Sequence, residues 1–198
     1  MLNCAAVNTE KVKDYQNTNR RKLVMMDAKI EQALNAQINL EFSASYSYLA
    51  MALYMDAKHL GGFASWMIKQ SDEERAHGRR LLRYMLDRSG NVELESVPKP
   101  QVDYGSINEV FEMSLEQEKS NTVSINKLYA LASDLNDYAT QAHLQWFLDE
   151  QVEEEKSILD ILGRLELAGD DKTALLILDE YLGSRSPEGI NTISITDR

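Results

Sequence analysis

Cysteine, proline, glycine and net positive charge are all scarce in this chain, and each shortage removes a class of explanation. A single cysteine, Cys4, among 198 residues leaves no internal disulfide framework and no zinc-ribbon spacing. It fits a reducing compartment, and the cytoplasm is expected. Three prolines and nine glycines, set against many Leu, Ala, Glu and Gln, favour an all-helical fold. No stretch approaches the ~18 consecutive apolar residues of a membrane span, so no membrane partner is expected. Lys and Arg number 21 against 32 Asp and Glu, a formal net charge of −11. That balance argues against nucleic acid as a partner and suits attraction of cations wherever carboxylates cluster. The length fits one domain with a substantial core.

The start of the chain reads differently. Over residues 1–25, Lys11, Lys13, Arg20, Arg21 and Lys22 outnumber Glu10 and Asp14, with no serine and no apolar core of a secretory signal. This segment is expected to be a flexible extension, the domain to occupy 26–183, and a polar tail to occupy 184–198.

From about Asp27 to Lys58, Ile30, Leu34, Ile38, Tyr48, Leu49 and Ala52 recur at helical spacing. His59-Leu60-Gly61-Gly62 supplies a stop. A second helix runs from Phe63 to about Ser89 through Met67, Leu81, Tyr84 and Met85, ending at Gly90, and the short turn makes it antiparallel to the first. Gly90 to Gly105 carries Pro98 and Pro100 and has no helical period. So long an irregular run is unusual inside a compact domain, and a crossover from one end of a bundle to the other accounts for it. Ser106 to Glu109 reads as a capping box that opens a third helix through Phe111, Leu115, Ile125, Leu128 and Ala132. A fourth helix follows a tight turn, from Tyr138 through Leu144, Phe147, Ile158, Leu162 and Leu165 to Gly169. Ala174-Leu175-Leu176-Ile177-Leu178 lies in a short fifth helix between Asp171 and Gly183, too apolar for water and expected to be buried against copies of itself or in a subunit contact. The fold class is all-α: a four-helix bundle with one long crossover and a short fifth helix.

Polar residues interrupt each apolar stripe at mid-length. Glu41 falls on the row 34, 38, 45, 48, 52; Glu74 and His77 on 63, 67, 70, 81, 84; Glu118 on 111, 115, 122, 125, 129; Gln151 and Glu154 on 144, 147, 158, 162. Residues three apart share a helix face, so Glu74 and His77 can present oxygen and nitrogen to one point. Taken singly, each glutamate reads as a solvated stripe edge and His77 as a satisfied core histidine. Taken together, four helices break pattern at one level, and buried carboxylates need partners or a metal. The set Glu / Glu-x-x-His / Glu / Gln-x-x-Glu matches the inward ligand pattern of di-metal carboxylate bundles, with Gln151 where a second Glu-x-x-His would begin. Oxygen-rich ligation with one imidazole suits iron or manganese better than structural zinc or copper.

Asn39-Leu40-Glu41-Phe42-Ser43-Ala44-Ser45-Tyr46-Ser47-Tyr48-Leu49, Glu73-Glu74-Arg75-Ala76-His77, Leu115-Glu116-Gln117-Glu118-Lys119, Asp137-Tyr138-Ala139-Thr140, Leu144-Gln145-Trp146-Phe147 and Glu150-Gln151-Val152-Glu153-Glu154-Glu155 occur in this order. With these markers the chain resembles the prokaryotic-type non-haem ferritins from about Met26 to Leu182. The resemblance implies a di-iron centre in which Glu41, Glu74 and His77 hold the first iron, and Glu74, Glu118 and Glu154 the second. Gln151 would be a polar neighbour, Tyr48 a tyrosine beside the site that can donate an electron, and Trp146 an aromatic neighbour; packing is the competing role for both aromatics. Glu73, Glu150 and Glu153, with Glu154, match an additional inner-surface iron site, against which stands a solvated acidic face.

The activity so implied is ferroxidase: Fe2+ oxidised by O2 or H2O2, with ferric mineral stored in a homo-oligomeric cage of 24 subunits. A di-iron oxidase or peroxidase without storage is the alternative. Gln141 and Leu144 stand where many animal ferritins carry an acidic ring for iron entry, so such a pore is not expected. No haem is expected either, since Met51 and Met55 read as packing residues.

Overall fold

The computed structural model describes residues 26–184; the expected N-terminal extension and the tail beyond Ser184 lie outside the described residues. Five helices follow in order: α1 (Ala28–Ala57), α2 (Gly61–Asp87), α3 (Ile107–Asp134), α4 (Tyr138–Ala168) and α5 (Lys172–Ser184). None is long and apolar enough to cross a membrane. α1 packs on α2, α3 on α4, and α1 on α3, the arrangement that one crossover between two hairpins produces.

α4 stops at Gly169 as expected, while the first three helices close without a left-handed glycine. His59, Ser89 and Asn136 take the left-handed conformation, with φ of 61°, 57° and 55°. The next residue's N–H reaches back in each case: Leu60 to Met55 O at 3.1 Å, Gly90 to Met85 O at 2.8 Å and Asp137 to Ala132 O at 2.8 Å. This is the Schellman closure, which satisfies a terminal carbonyl. Gly61 and Gly62 thereby become the first residues of α2 and do not end α1. Asp27, Ser106 and Asp137 cap the starts of α1, α3 and α4 through their side chains. The expected capping box is shifted by one residue: Ser106 Oγ accepts from Glu109 N at 3.0 Å, while Glu109 Oε2 accepts from Gly105 N at 2.6 Å.

The crossover lies along α1 as a single extended strand held by side chains. Asn91 N donates to Glu31 Oε2, Asn35 Nδ2 to Asn91 O, Glu93 N to Asn35 Oδ1, Asn39 Nδ2 to Glu93 O, and Glu95 N to Asn39 Oδ1, all within 3.1 Å. Two residues of extended chain advance ~6.6 Å and four of helix rise ~6 Å, so every fourth residue of α1 meets every second one of the crossover. The two chains therefore run parallel. At the far end Tyr104 is buried, with Tyr54 Oη donating to its carbonyl at 2.7 Å.

Two apolar clusters fill the bundle. One gathers Met51, Met55, Phe63, Met67, Phe111 and Ile158; the other gathers Ile30, Leu34, Ile38, Leu81, Ile125 and Phe147. Met51 and Met55 are both fully packed. The fifth helix divides its apolar residues: Leu178 and Leu182 are buried on the chain's own bundle, while Leu176, Ile177 and Tyr181 are exposed.

Candidate metal centre

A layer of polar side chains separates the two apolar clusters. Glu41 comes from α1, Glu74 and His77 from α2, Glu118 from α3, and Gln151 and Glu154 from α4, and every one of them is buried. Helical spacing dictates this: each occupies the core row of its helix, between the buried apolar residues that the same row gives to the two clusters. Gly78 lets α2 approach at this level. A Cβ there would stand 3.1 Å from the Phe42 ring and 3.3 Å from Glu41 Cβ.

Glu41, Glu74 and His77 can each offer a ligand atom with all three atoms within 4.8 Å of one another. His77 Nδ1 lies 3.5 Å from Glu74 Oε2, yet neither atom has a hydrogen-bond partner although both are buried. Buried polar atoms left this way are costly unless something else, such as a cation, satisfies them. Glu118 is tied down instead. It accepts from Tyr48 Oη at 2.6 Å through Oε1 and from Gln151 Nε2 at 3.3 Å through Oε2.

Crowding of carboxylates in a dry layer has an electrostatic consequence. Burial, then the charges of Glu118 and Glu41, raise the Glu74 carboxyl well above the usual range. Glu154 is raised well above it by burial and then by Glu118, Glu73, Glu150 and Glu41. Glu118 is raised by burial despite the opposing hydrogen bonds from Tyr48 and Gln151. Burial followed by the charges of Glu118 and Glu74 also raises the Tyr48 phenol well above its usual value, so it stays a proton donor. Without a cation these carboxylates hold protons that a divalent ion would displace.

The structure divides the residues expected to form an additional site. His77, Glu150 and Glu154 offer ligand atoms within 4.8 Å of one another; Glu73 and Glu153 stand outside that group. Glu73 accepts a hydrogen bond from Gln70 Nε2, and Glu153 is exposed. Both remain near enough for their charges to help raise the Glu150 carboxyl, after burial and against the pull of His77. The aromatic residues also divide. Trp146 meets the His77 ring edge-on at 5.3 Å, beneath the Arg80 guanidinium at 4.0 Å. Tyr48 has Trp66 as its ring neighbour, at 6.4 Å.

Gln37 and Asn121 complete the layer and were missed in the sequence. Gln37 Nε2 donates to Glu41 Oε1 at 2.7 Å and to Asn121 Oδ1 at 2.5 Å, and Asn121 Nδ2 donates to Glu41 Oε2 at 3.3 Å. The available signal was position: Gln37 lies one turn before Glu41, and Asn121 three residues after Glu118.

Comparison with known proteins adds three findings. A family profile described as the ferritin-like domain matches residues 31–168. The chain is 41% identical over 162 residues to the bacterial non-heme ferritin of Staphylococcus aureus strain USA300, covering 82% of this chain and 98% of that one. The protein of the same description from Staphylococcus epidermidis is 40% identical over 162 residues, with the same coverage. Among solved structures, an open-pore ferritin from the hyperthermophilic archaeon Archaeoglobus fulgidus superposes with a TM-score of 0.80 at 42% identity, covering 81% of this chain and 99% of that chain.

Proposed function

Because the chain belongs to the ferritin family, we propose that it stores iron as a ferroxidase, taking Fe2+ as substrate between its four long helices and passing Fe3+ to a mineral inside a cage of 24 subunits. The observation that carries this reading is the buried layer of Glu41, Glu74, His77, Glu118 and Glu154, in which Glu74 Oε2 and His77 Nδ1 have no partner. Glu41, Glu74 and His77 would hold the first iron, and Glu74, Glu118 and Glu154 the second. Two Fe2+ give one electron each to O2, which with two protons leaves as H2O2; H2O2 is itself an oxidant for a further pair. Carboxylates stabilise the ferric product better than the ferrous substrate, which places the driving force on oxidation. A single imidazole and an amide at Gln151 leave the iron less firmly held than two Glu-x-x-His pairs would, as suits a substrate that must leave. Residues 26–183 act as one ferritin-like domain in this reading, and the cytoplasm is its compartment.

Adding Fe2+ aerobically to the metal-free protein should give a fast rise in ferric absorbance that Glu118→Ala slows at least tenfold. An unchanged fast phase in that variant would remove the second iron position. Light scattering should report a particle of many subunits, whereas a monomer or dimer would favour the non-storage oxidase, which the ferritin relatives do not favour.

A further inference from the structure

The crossover ladder ends where Glu95 N donates to Asn39, and just beyond it the chain borders a pocket of about 230 Å3. Pro98 and Pro100 have no N–H with which to continue the ladder, and on α1 the small side chains of Ser43, Ala44 and Ser47 leave space. The walls are mostly apolar and carry no carboxylate, and the one charged residue among them is Lys99. In a chain of net charge −11, that lining is unsuited to a cation. Two amides from α3 complete it. Gln117 Nε2 is buried without a hydrogen-bond partner, which leaves a donor in want of an acceptor. Asn121 is 3% exposed and belongs also to the central layer, where its Nδ2 donates to Glu41 Oε2 at 3.3 Å and to Gln151 Oε1 at 3.5 Å. One side chain thus faces both the pocket and the carboxylates.

We propose that this pocket binds hydrogen peroxide on its way to the iron layer. The proposal rests on the iron-site reading above and assigns an entry site to one of its two oxidants. The space far exceeds the roughly 10–15 Å3 that a single water needs, so a molecule little larger than water fits. Peroxide is uncharged, so Lys99 does not repel it, and it accepts the bond that Gln117 Nε2 offers. Dioxygen is too weak an acceptor to do the same. Both Asn121 donations are longer than the ~2.9–3.0 Å usual for N–H···O, and turning that amide opens the pocket onto Glu41. Each of two Fe2+ then gives one electron to the peroxide, whose O–O bond breaks, and with two protons it leaves as two waters. Fe2+ itself enters elsewhere, because the lining offers it no carboxylate and one positive charge.

Gln117→Leu removes the donor and keeps the bulk. The full-length protein is loaded with Fe2+ under argon and mixed with H2O2 or with O2, and stopped-flow ferric absorbance gives the rates. In the variant the half-saturating H2O2 concentration should rise at least fivefold while the limiting rate stays within twofold. The preference for H2O2 over O2, taken as the ratio of the two second-order rate constants, should fall by a similar factor. A ratio within twofold of the parent's overturns the proposal, whether neither oxidant is affected or both slow alike. Lys99→Glu, an exposed substitution, supplies the second measurement. Fe2+ uptake under argon should be no faster in it than in the parent; quicker uptake would make the pocket a cation entrance and overturns the proposal. Each of these results leaves the iron-site reading intact. Ferric product from neither oxidant in the unsubstituted protein overturns both.

Discussion

The Tyr48 phenol donates to Glu118 Oε1 over 2.6 Å, from a position with no solvent exposure. Burial and the carboxylates around it hold the phenol protonated, so the bond fixes one oxygen of Glu118 while Gln151 fixes the other. Tyr48→Phe keeps the ring among Met51, Trp66 and Phe111 and removes only the donor. The cost in stability should be about 1–3 kcal/mol, that of a buried acceptor losing one of its partners. Iron oxidation should slow severalfold while ferrous binding at Glu41, Glu74 and His77 persists. Stopped-flow absorbance paired with calorimetric Fe2+ binding under argon separates these effects. An unchanged oxidation rate would reduce Tyr48 to a packing residue.

Metal-free stability should fall as pH rises. Glu74, Glu118 and Glu154 hold protons in the folded protein that an unfolded chain releases above about pH 4.3. Their contribution is complete below that value and is lost as pH climbs through the raised folded values, because the folded state binds the extra protons. His143 works in the opposite direction: burial and then Arg80 lower it from 6.5 to about 4, so its contribution is lost as pH falls through that interval. Above pH 6.5 His143 no longer contributes to the slope. The melting temperature of metal-free protein should decline as pH climbs through the raised carboxyl values, less steeply in Glu74→Gln, and Zn2+ should abolish the decline. Identical slopes in variant and parent would count against a proton held on Glu74.

Much of this was legible because the bundle repeats one period. Glu41, Glu74, His77, Glu118 and Glu154 each sit on a core row that spacing alone identifies, so the central layer followed from the sequence. Two things did not. Which of Glu73, Glu150 and Glu153 joins His77 depends on rotamers and on a local partner, Gln70, rather than on spacing. The first two helix stops fall on His59 and Ser89 and not on Gly61-Gly62 and Gly90, because both take a conformation usually given to glycine. Gln37 and Asn121 were passed over as amides, although burial makes them partners of Glu41.

Asn39 tests the crossover. Its amide donates to Glu93 O at 2.9 Å and its Oδ1 accepts from Glu95 N at 2.8 Å, so one side chain does what a neighbouring strand would do. Both crossover groups are exposed, and water replaces the bonds when they break. Asn39→Leu should therefore cost only about 1–2 kcal/mol, yet hydrogen exchange at the Glu95 amide should accelerate by tenfold or more. Asn39→Asp keeps the acceptor and should leave that amide protected. Equal exchange in both variants would mean that the ladder does not hold the crossover.

Gly62 decides where the fifth helix sits. A Cβ at this position would lie 1.7 Å from the backbone oxygen of Asp179 and 2.5 Å from its carbonyl carbon, contacts no rotamer can relieve. The close approach has a purpose at the start of α2, where Leu60 provides no side-chain cap. Asp179 Oδ1 accepts from Phe63 N at 2.8 Å, so α5 closes an open donor of another helix. Gly62→Ala must lift α5, removing a cap of about 0.5–2 kcal/mol and uncovering Leu178 and Leu182 at roughly 1.5–3 kcal/mol each. α5 also touches α4, where the Arg164 guanidinium lies over the Tyr181 ring, but the four long helices pack on one another without it, so circular dichroism should retain most of its helical signal while the melting temperature falls. If the free face of Leu176 and Ile177 supplies a subunit contact, the particle seen by light scattering should shrink as well. Asp179→Asn, which keeps the shape and weakens the cap, should lower the melting temperature less and leave the particle whole. A Gly62→Ala protein with unchanged melting and unchanged size would mean that α5 is not seated on α2 in solution.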